Sequence, residues 1–503
     1  MSLWPPPPLP VADEAPAAGR AFLPGGSAAP LPEPLLGRLA AACSLDGAEP
    51  SLVEAGRDWW PMALHWAGRG QVPALPAVVA RPTSTAQVAE VLRLCDDARV
   101  PVTPAAGRSG VCGGSVPKAG GVALDLRGLS GLTWASAEDG LVGVRAGTNG
   151  LAFEEQLRAE HAMTVGHWPQ SMALASVGGW VACRGAGQYS TRYGKVEDMV
   201  NGLEVVLADG RVITTGGRAP RSAVGPDLNH VFLGSEGTLG VVTEVTLRAW
   251  PLPPEEGRSA WNFATFADGL ETCRRVLRRG ATPAVLRLYD GREGAHFGGD
   301  GQRSVLLVLD EGDAAHVEAS LAVVAEEAGT LGAPGDQAAV GLWLEHRNDV
   351  ATLGEAVSAG IVVDTCEIAA RWTALSAIHA EATARFMALP GAYAVSCHQS
   401  HAYLDGACLY FTFAGFPADG QAESFYAAAW QSIEDATLAA GGAASHHHGI
   451  GLLRAGLVRR ALGSGFDVLA ALKAALDPNG TLNPGGLGLP SAHEVVAWPT
   501  PST

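Results

Sequence analysis

Between about Val72 and Pro251, short β-branched apolar runs alternate with stretches whose apolar residues recur at helical spacing. AVVARP, VPVTP, GVALDL, LVGVRAG, VVLADGRVITT and GVVTEVTLRAW read as strands bounded by turn residues. TSTAQVAEVLRLCDDA predicts a helix over 85–97 with Thr83 or Ser84 as N-cap, and AFEEQLRAEHAM predicts a second after Gly150. From 252 to 440 the texture changes. Helices such as FADGLETCRRVLRRG and HVEASLAVVAEEAG are interleaved with the strands AVLRLYD, SVLLVLD and ACLYFTF, a second layer of helix and sheet. Residues 441–489 hold SHHHGIG, a helix near FDVLAALKAALDP and the turn NPGGLG, and 490–503 form a tail. Ahead of these units, 35–71 predicts short helices anchored by Trp59, Trp60 and Trp66, and the Pro- and Ala-rich 1–34 reads as a flexible arm. No internal repeat is visible, and the fold class is α+β.

Composition narrows the function. The chain has 503 residues, 47% of them hydrophobic, enough for two or three cores. With 34 Lys+Arg against 51 Asp+Glu the net charge is −17, which argues against nucleic acid as a partner. No run approaches the roughly 18 apolar residues of a membrane span, and the N-terminus lacks the basic head and apolar run of a secretory signal. A cytoplasmic protein is expected. The eight cysteines form no CxxC pair, so isolated buried thiols are expected rather than disulfides or zinc, and no metal site is predicted.

Three glycine-rich stretches carry candidate chemistry. Pro104, Ala105, Ala106, Gly107, Arg108, Ser109 and Gly110 follow a strand, where small residues let backbone N–H groups converge on an anion. The stretch from Gly166 to Gly194 is dense in glycine, which suits close approach to something large and flat. The third, GSEGTLG from Gly234, fits neither the dinucleotide Rossmann turn nor a Walker loop. Ordinary turns remain the alternative for each. Tyr410 alternates with Leu409 and Phe411 on a strand, so its phenol points away from an apolar wall, although tyrosine is also simply a good strand former. Arg287 interrupts an apolar strand and calls for an anionic partner, unless it lies at a solvated edge. His446, His447 and His448 point alternately to opposite faces if extended. That arrangement suits phosphate or carboxylate binding and proton transfer better than a single chelate, although two could share a side.

In this order PAAGRSG, HWPQSMALASVGGW and GSEGTLGVVTE, the last ahead of Trp250 and Pro251, resemble the FAD-binding domain of the vanillyl-alcohol-oxidase flavoprotein superfamily. Within it, GPDLNHVFLGSEGTLG, LRLYD, DGACLYFTF and above all SHHHGIGLLR are similar to the alkyldihydroxyacetonephosphate synthases, the likeness running from about 50 to 488. The resemblance implies a PCMH-type FAD-binding domain over 72–251, an α/β cap or substrate domain over 252–440 and a flavin-contacting segment over 441–489. It places Pro104 to Gly110 at the pyrophosphate. Gln170, Ser171, Ser176, Gly178, Gly179, Cys183, Arg184, Gly185, Ala186, Glu236, Gly237, Thr238, Gly240, Val241 and Val242 are placed along the cofactor, with Gly178, Gly179 and Trp180 forming a turn. Arg108 and Ser109 stand where covalently flavinylated relatives often have a histidine, so non-covalent FAD is expected. Tyr410 matches the proton-transferring tyrosine, Arg287 a functional arginine, and His167 a histidine near the flavin.

The activity implied is exchange of the acyl group of acyl-dihydroxyacetone phosphate for a long-chain alcohol, forming an ether lipid. In that chemistry FAD serves as an electrophilic scaffold, Tyr410 as base, and the histidines and Arg287 bind or activate substrate. The alternative is an FAD-linked oxidase or dehydrogenase of a small hydroxy acid or alcohol. Partners are a small-molecule or lipid-like substrate; a homodimer and a peripheral membrane contact through the Trp-rich 59–66 are allowed for, with core packing the expected use of those rings. The family arginine expected near Leu353 is missing, and Arg347 replaces it only if its loop folds differently. Trp168 and Gln170 depart from the acidic pattern after the histidine, and the ending PTPST carries no peroxisomal signal, so a bacterial cytoplasmic homologue is expected.

Overall fold

The computed structural model describes residues 4–5 and 9–498; positions 1–3 and 6–8 of the arm and 499–503 of the tail lie outside the described residues. The first lobe holds two larger sheets and a two-stranded pairing of Met163–Thr164 with Trp250–Pro251. Val78–Arg81, Val122–Asp125 and Val102–Ala105 run parallel, with Ser44–Asp46 antiparallel at one edge. The helix Thr85–Ala98, capped by the Ser84 side chain, buries Val88, Val91, Leu92 and Cys95 against them. A five-stranded antiparallel sheet follows in the order Leu132–Ser136, Leu141–Arg145, Val241–Arg248, Val200–Val206 and Val212–Gly216.

The second lobe is one seven-stranded antiparallel sheet. Its order is Gly332–Pro334, Glu255–Phe263, Ser304–Gly312, Val285–Tyr289, Ala392–Ala402, Gly406–Gly415 and Val362–Arg371. Strand alternation gives the sheet two unlike faces. Leu286, Leu288, Leu409, Phe411 and Phe413 pack on the helices Phe266–Arg278, Ala314–Leu331, Trp372–Met387 and Ala422–Ala439. Val285, Tyr289, Leu307 and Leu309 face the first lobe and share its core.

The N-terminal arm is tied down over its described part rather than free. Ala21 bridges Val72, Phe22 stacks on Trp66 at 4.2 Å, and the Arg20 guanidinium donates to the Gly70 carbonyl at 3.1 Å. Trp60 and Trp66 are fully buried, edge to face at 5.2 Å, and Trp60 Nε1 donates to Tyr426 Oη at 2.8 Å. The 59–66 rings therefore join the lobes and offer no surface for a membrane. No helix among the described residues is long and apolar enough to cross a membrane, and the eight cysteines are all free.

The C-terminal segment returns between the lobes and is fastened by a buried ion pair. Arg454 Nη2 lies 2.5 Å from Glu367 Oε2, both side chains wholly buried. Glu367 Oε1 also accepts the backbone N–H groups of His446, His447 and His448 at 3.1, 3.0 and 2.8 Å, and the Ser445 hydroxyl at 2.8 Å. Burial alone would raise the Glu367 pKa, but Arg454, with His448, holds it well below the usual 4.5. Burial pushes Glu434, 3.3 Å from Arg454 Nε, up to about 8, so one carboxylate, not two, balances the guanidinium.

Substituting Glu367→Gln removes one partner of this buried pair and is expected to cost about 3–5 kcal/mol in denaturant unfolding. The double variant Glu367→Gln, Arg454→Met should lose much less. Because the folded pKa of Glu367 is depressed, the gap between wild type and E367Q should be constant above about pH 4.5 and narrow as pH falls below it. A gap that instead closes as pH rises toward 8 would refute this account.

Candidate functional site

The three glycine-rich loops lock onto one another before they can hold anything else. A side chain at Gly107 would put its Cβ 2.1 Å from the Leu174 carbonyl oxygen, and one at Gly237, where φ is +70°, 2.4 Å from Pro104 Cγ. Between these loops and the cap sheet lies a cavity of about 620 Å³. It is lined by 104–112, by 169–171, 174–176 and 178–180, by Cys183, Gly185 and Ala186, and by 235–237 and 240–242. Gly178 and Gly179 belong to the helix Val177–Cys183, capped by Ser176 Oγ on the Gly179 N–H at 3.1 Å, rather than to a turn.

Four expected residues do not line the cavity. Arg184, at φ +54°, turns away to Glu197 at 2.9 Å. Thr238 is buried and donates to the Ser235 carbonyl at 2.7 Å. His167 is shut behind Trp180, ring centroids 4.5 Å apart, with neither nitrogen hydrogen-bonded and its pKa pushed down to about 3 by burial. His446 faces Tyr403, whose hydroxyl lies 2.9 Å from Nε2. Arg347 does not take the missing arginine's place: it packs over Tyr189, Trp168 and Trp343 at 5.0, 5.5 and 5.5 Å, while Leu353 lines the cavity.

Among the described residues, two arginines line the cavity, at opposite ends. Arg108 sits in the first loop in a left-handed conformation, φ +50°. Its nearest carboxylate oxygen, on Asp125, is 3.9 Å away and already taken by Arg127 at 2.6 Å, and its Nε and Nη2 have no hydrogen-bond partner. Asp58 Oδ2, also on the cavity wall, is likewise unpartnered, and burial raises that carboxyl to about 7. A buried guanidinium that shares its nearest carboxylate with Arg127 and sits among small-residue loops fits the diphosphate of a dinucleotide.

At the other end, Arg287, Tyr410, His447 and His448 converge. Tyr410 Oη lies 3.4 Å from His448 Nε2, and burial holds the phenol well above its ordinary value, so it is protonated at neutral pH. Burial also lowers His447 and His448, leaving both imidazoles neutral, although Glu367, 3.6 Å from His448 Nδ1, pulls His448 the other way. Arg287 Nε donates to Tyr289 Oη at 2.7 Å and Nη2 to His398 Nε2 at 2.6 Å. Among the described residues it forms no ion pair.

Sequence reasoning missed several contributors. His398 and His401 lie on Ala392–Ala402, and cross-strand register sets His398 opposite Tyr410, rings parallel at 4.8 Å. The CHQSH text held this signal, two histidines three apart on a strand beside the tyrosine strand. Ring nitrogens of His401, His446 and His447 fall within 4.8 Å of one another, and each ring is already engaged: His401 Nδ1 with Ser190 Oγ at 2.8 Å, His446 Nδ1 with His447 Nδ1 at 2.9 Å. Glu367 carries no local signature, and Arg454 stood in the sequence only as the last residue of SHHHGIGLLR, with nothing to name its partner.

Comparison with known proteins agrees with this geometry. The family model for the FAD binding domain matches residues 76–216, and that for FAD linked oxidases, C-terminal domain, matches 252–487. A relative described as an uncharacterised FAD-linked oxidoreductase, YgcU of Escherichia coli O157:H7, is 31% identical over 432 residues, covering 82% of this chain and 88% of its own. The alkyldihydroxyacetonephosphate synthase of Trypanosoma brucei brucei is 29% identical over 481 residues, covering 86% and 76%. A solved alkyldihydroxyacetonephosphate synthase superposes with a TM-score of 0.76 at 23% identity, covering 91% of this chain and 87% of that one. With both domains matched in order around one cavity, the chain belongs to the FAD-linked oxidase and synthase family and is an FAD-dependent enzyme.

Proposed function

We propose that the protein oxidises a small anionic hydroxy compound, a hydroxy acid being the class that fits best. One observation carries the reading: Arg287, paired only with neutral groups, faces the substrate end of the cavity beside Tyr410 and His448. One guanidinium fork suits one carboxylate. The alkyl-transfer reading expects a phosphate there, and the second arginine it calls for is replaced by Leu353. FAD, when bound, supplies the two-electron acceptor. Arg287 binds and orients the carboxylate, and neutral His448 takes the hydroxyl proton by way of the Tyr410 phenol, which passes on its own proton as it receives the substrate's. Apolar Val350, Leu353, Ala356 and Val363 also line the cavity and exclude water there.

Ether-forming alkyl transfer on acyl-dihydroxyacetone phosphate is the second reading, and that apolar wall is what favours it, since it would also seat an acyl chain. Anaerobic mixing separates the two. A panel of short hydroxy acids should bleach the flavin and leave it reduced until an acceptor is added. Incorporation of labelled hexadecanol into a phosphate ester, with the flavin oxidised after turnover, would decide for transfer.

In either chemistry Tyr410→Phe should slow turnover about 10²–10⁴-fold with FAD content unchanged; steady-state rates within threefold of wild type would remove Tyr410 from the mechanism. Arg108 is assigned to the diphosphate. Charge-assisted hydrogen bonds are worth about 1.5–3 kcal/mol, so Arg108→Met should weaken FAD binding to apoprotein about 10- to 100-fold by flavin fluorescence, with riboflavin binding little changed.

A further inference from the structure

Arg287 is held by a chain of groups that ends in a carboxylate without touching it. His398, 4% exposed, accepts from Arg287 Nη2 at its Nε2 and meets Glu293 Oε1 at its Nδ1, 2.7 Å away. Glu293 stands in the short helix Gly291–Gly294, which Asp290 fastens to the histidine's strand: Asp290 Oδ1 accepts the Glu293 N–H at 2.9 Å and Oδ2 the Cys397 N–H at 2.7 Å. A carboxylate only accepts and a guanidinium only donates, so the neutral imidazole between them has one consistent tautomer, proton on Nδ1 and lone pair on Nε2. Parallel packing on Tyr410 at 4.8 Å and 17° fixes the ring plane.

A direct carboxylate at Arg287 would cancel the charge that a substrate anion needs. An imidazole in between supplies an acceptor and fixes the fork, yet leaves the positive charge without an ionic partner. We propose that Glu293 and His398 are positioning residues that lock Arg287 as an uncancelled cation for the anionic group of the substrate. This rests on the reading of Arg287 given above and extends it to His398 on the cavity wall and to Glu293 behind it.

The test uses FAD-loaded protein titrated with oxalate and, separately, inorganic phosphate, followed by the flavin absorbance change; the stronger of the two identifies the anionic group as carboxylate or phosphate. Arg287→Met should abolish the response. Glu293→Gln can turn an amide N–H toward Nδ1 and so move the ring proton to Nε2, against the guanidinium. It should raise the apparent Kd at least tenfold, and the KM for an anionic substrate by a similar factor, with kcat, FAD content and Tm little changed. His398→Phe, which keeps the ring stack and removes the acceptor, carries the same expectation should E293Q fold poorly. In a His398→Gln background, whose carbonyl can only accept, Glu293→Gln should have no further effect. If R287M loses the anion while E293Q and H398F bind within threefold of wild type, the positioning roles are overturned and the function of Arg287 stands. If the wild type answers to neither anion, or R287M binds as well as wild type, both this proposal and the anionic-substrate reading fall.

Discussion

The site depends on one carboxylate that never sees solvent. Glu367 turns the backbone of 446–448 into a nest of three N–H groups on a single oxygen, and spends its other oxygen on Arg454. Adjacent side chains in such a tight arc cannot all face one way, which is why His447 and His448 reach the cavity and His446 turns to Tyr403. The pair is costly to desolvate and gains little as stability alone. Its return is geometric, because it fixes where two imidazoles sit relative to a phenol on the neighbouring strand.

The same C-terminal segment clamps the cofactor loops from behind. Lys473 Nζ donates to the carbonyls of Thr238 and Leu482 at 2.8 and 2.6 Å. Asn483 donates to the Glu236 carbonyl at 2.6 Å and accepts from Lys118 at 2.9 Å. Glu236, itself left-handed at φ +48°, takes the backbone N–H groups of Ile450 and Gly451. Both lobes therefore hold the same returning segment: the cap's carboxylate holds the histidines, and the third glycine loop's carboxylate holds the residues just after them. Neither half of the cavity is complete without this return.

What could be read from the sequence was whatever lies within one element. Alternation around Tyr410 set it on the face away from Leu409 and Phe411, which the core takes, and small-residue loops announced a backbone-lined cavity. What escaped was set by pairing between distant segments. His398 matters because register lays it against Tyr410 and a short helix brings Glu293 to it; neither is a property of its own strand. Thr238 and Arg184 were misplaced for a local reason: at a helix end or a tight turn, successive side chains leave in unlike directions, so membership of a loop does not place a residue in its cavity. His167 fails differently, since the bulk of Trp180 stands in front of it.

Charge is then allocated by desolvation. A chain of net charge −17 keeps two arginines on the cavity wall, Arg108 at the loops that suit a diphosphate with only a shared carboxylate at 3.9 Å, and Arg287 at the phenol with no ion pair among the described residues. The imidazoles of His447 and His448 are held neutral chiefly by burial, with Arg454 adding to it and Glu367 pulling the other way. Had they been protonated, two further cations would compete with Arg287 for the same anion and leave no acceptor for a proton. Burial thus separates two tasks that exposed histidines would blur: the guanidiniums hold negative charge, and the histidines remain free to accept a proton from the phenol at 410. This division follows from the low-dielectric setting and not from the residue types alone, which is why the same triplet of histidines in a solvated loop would have no such role.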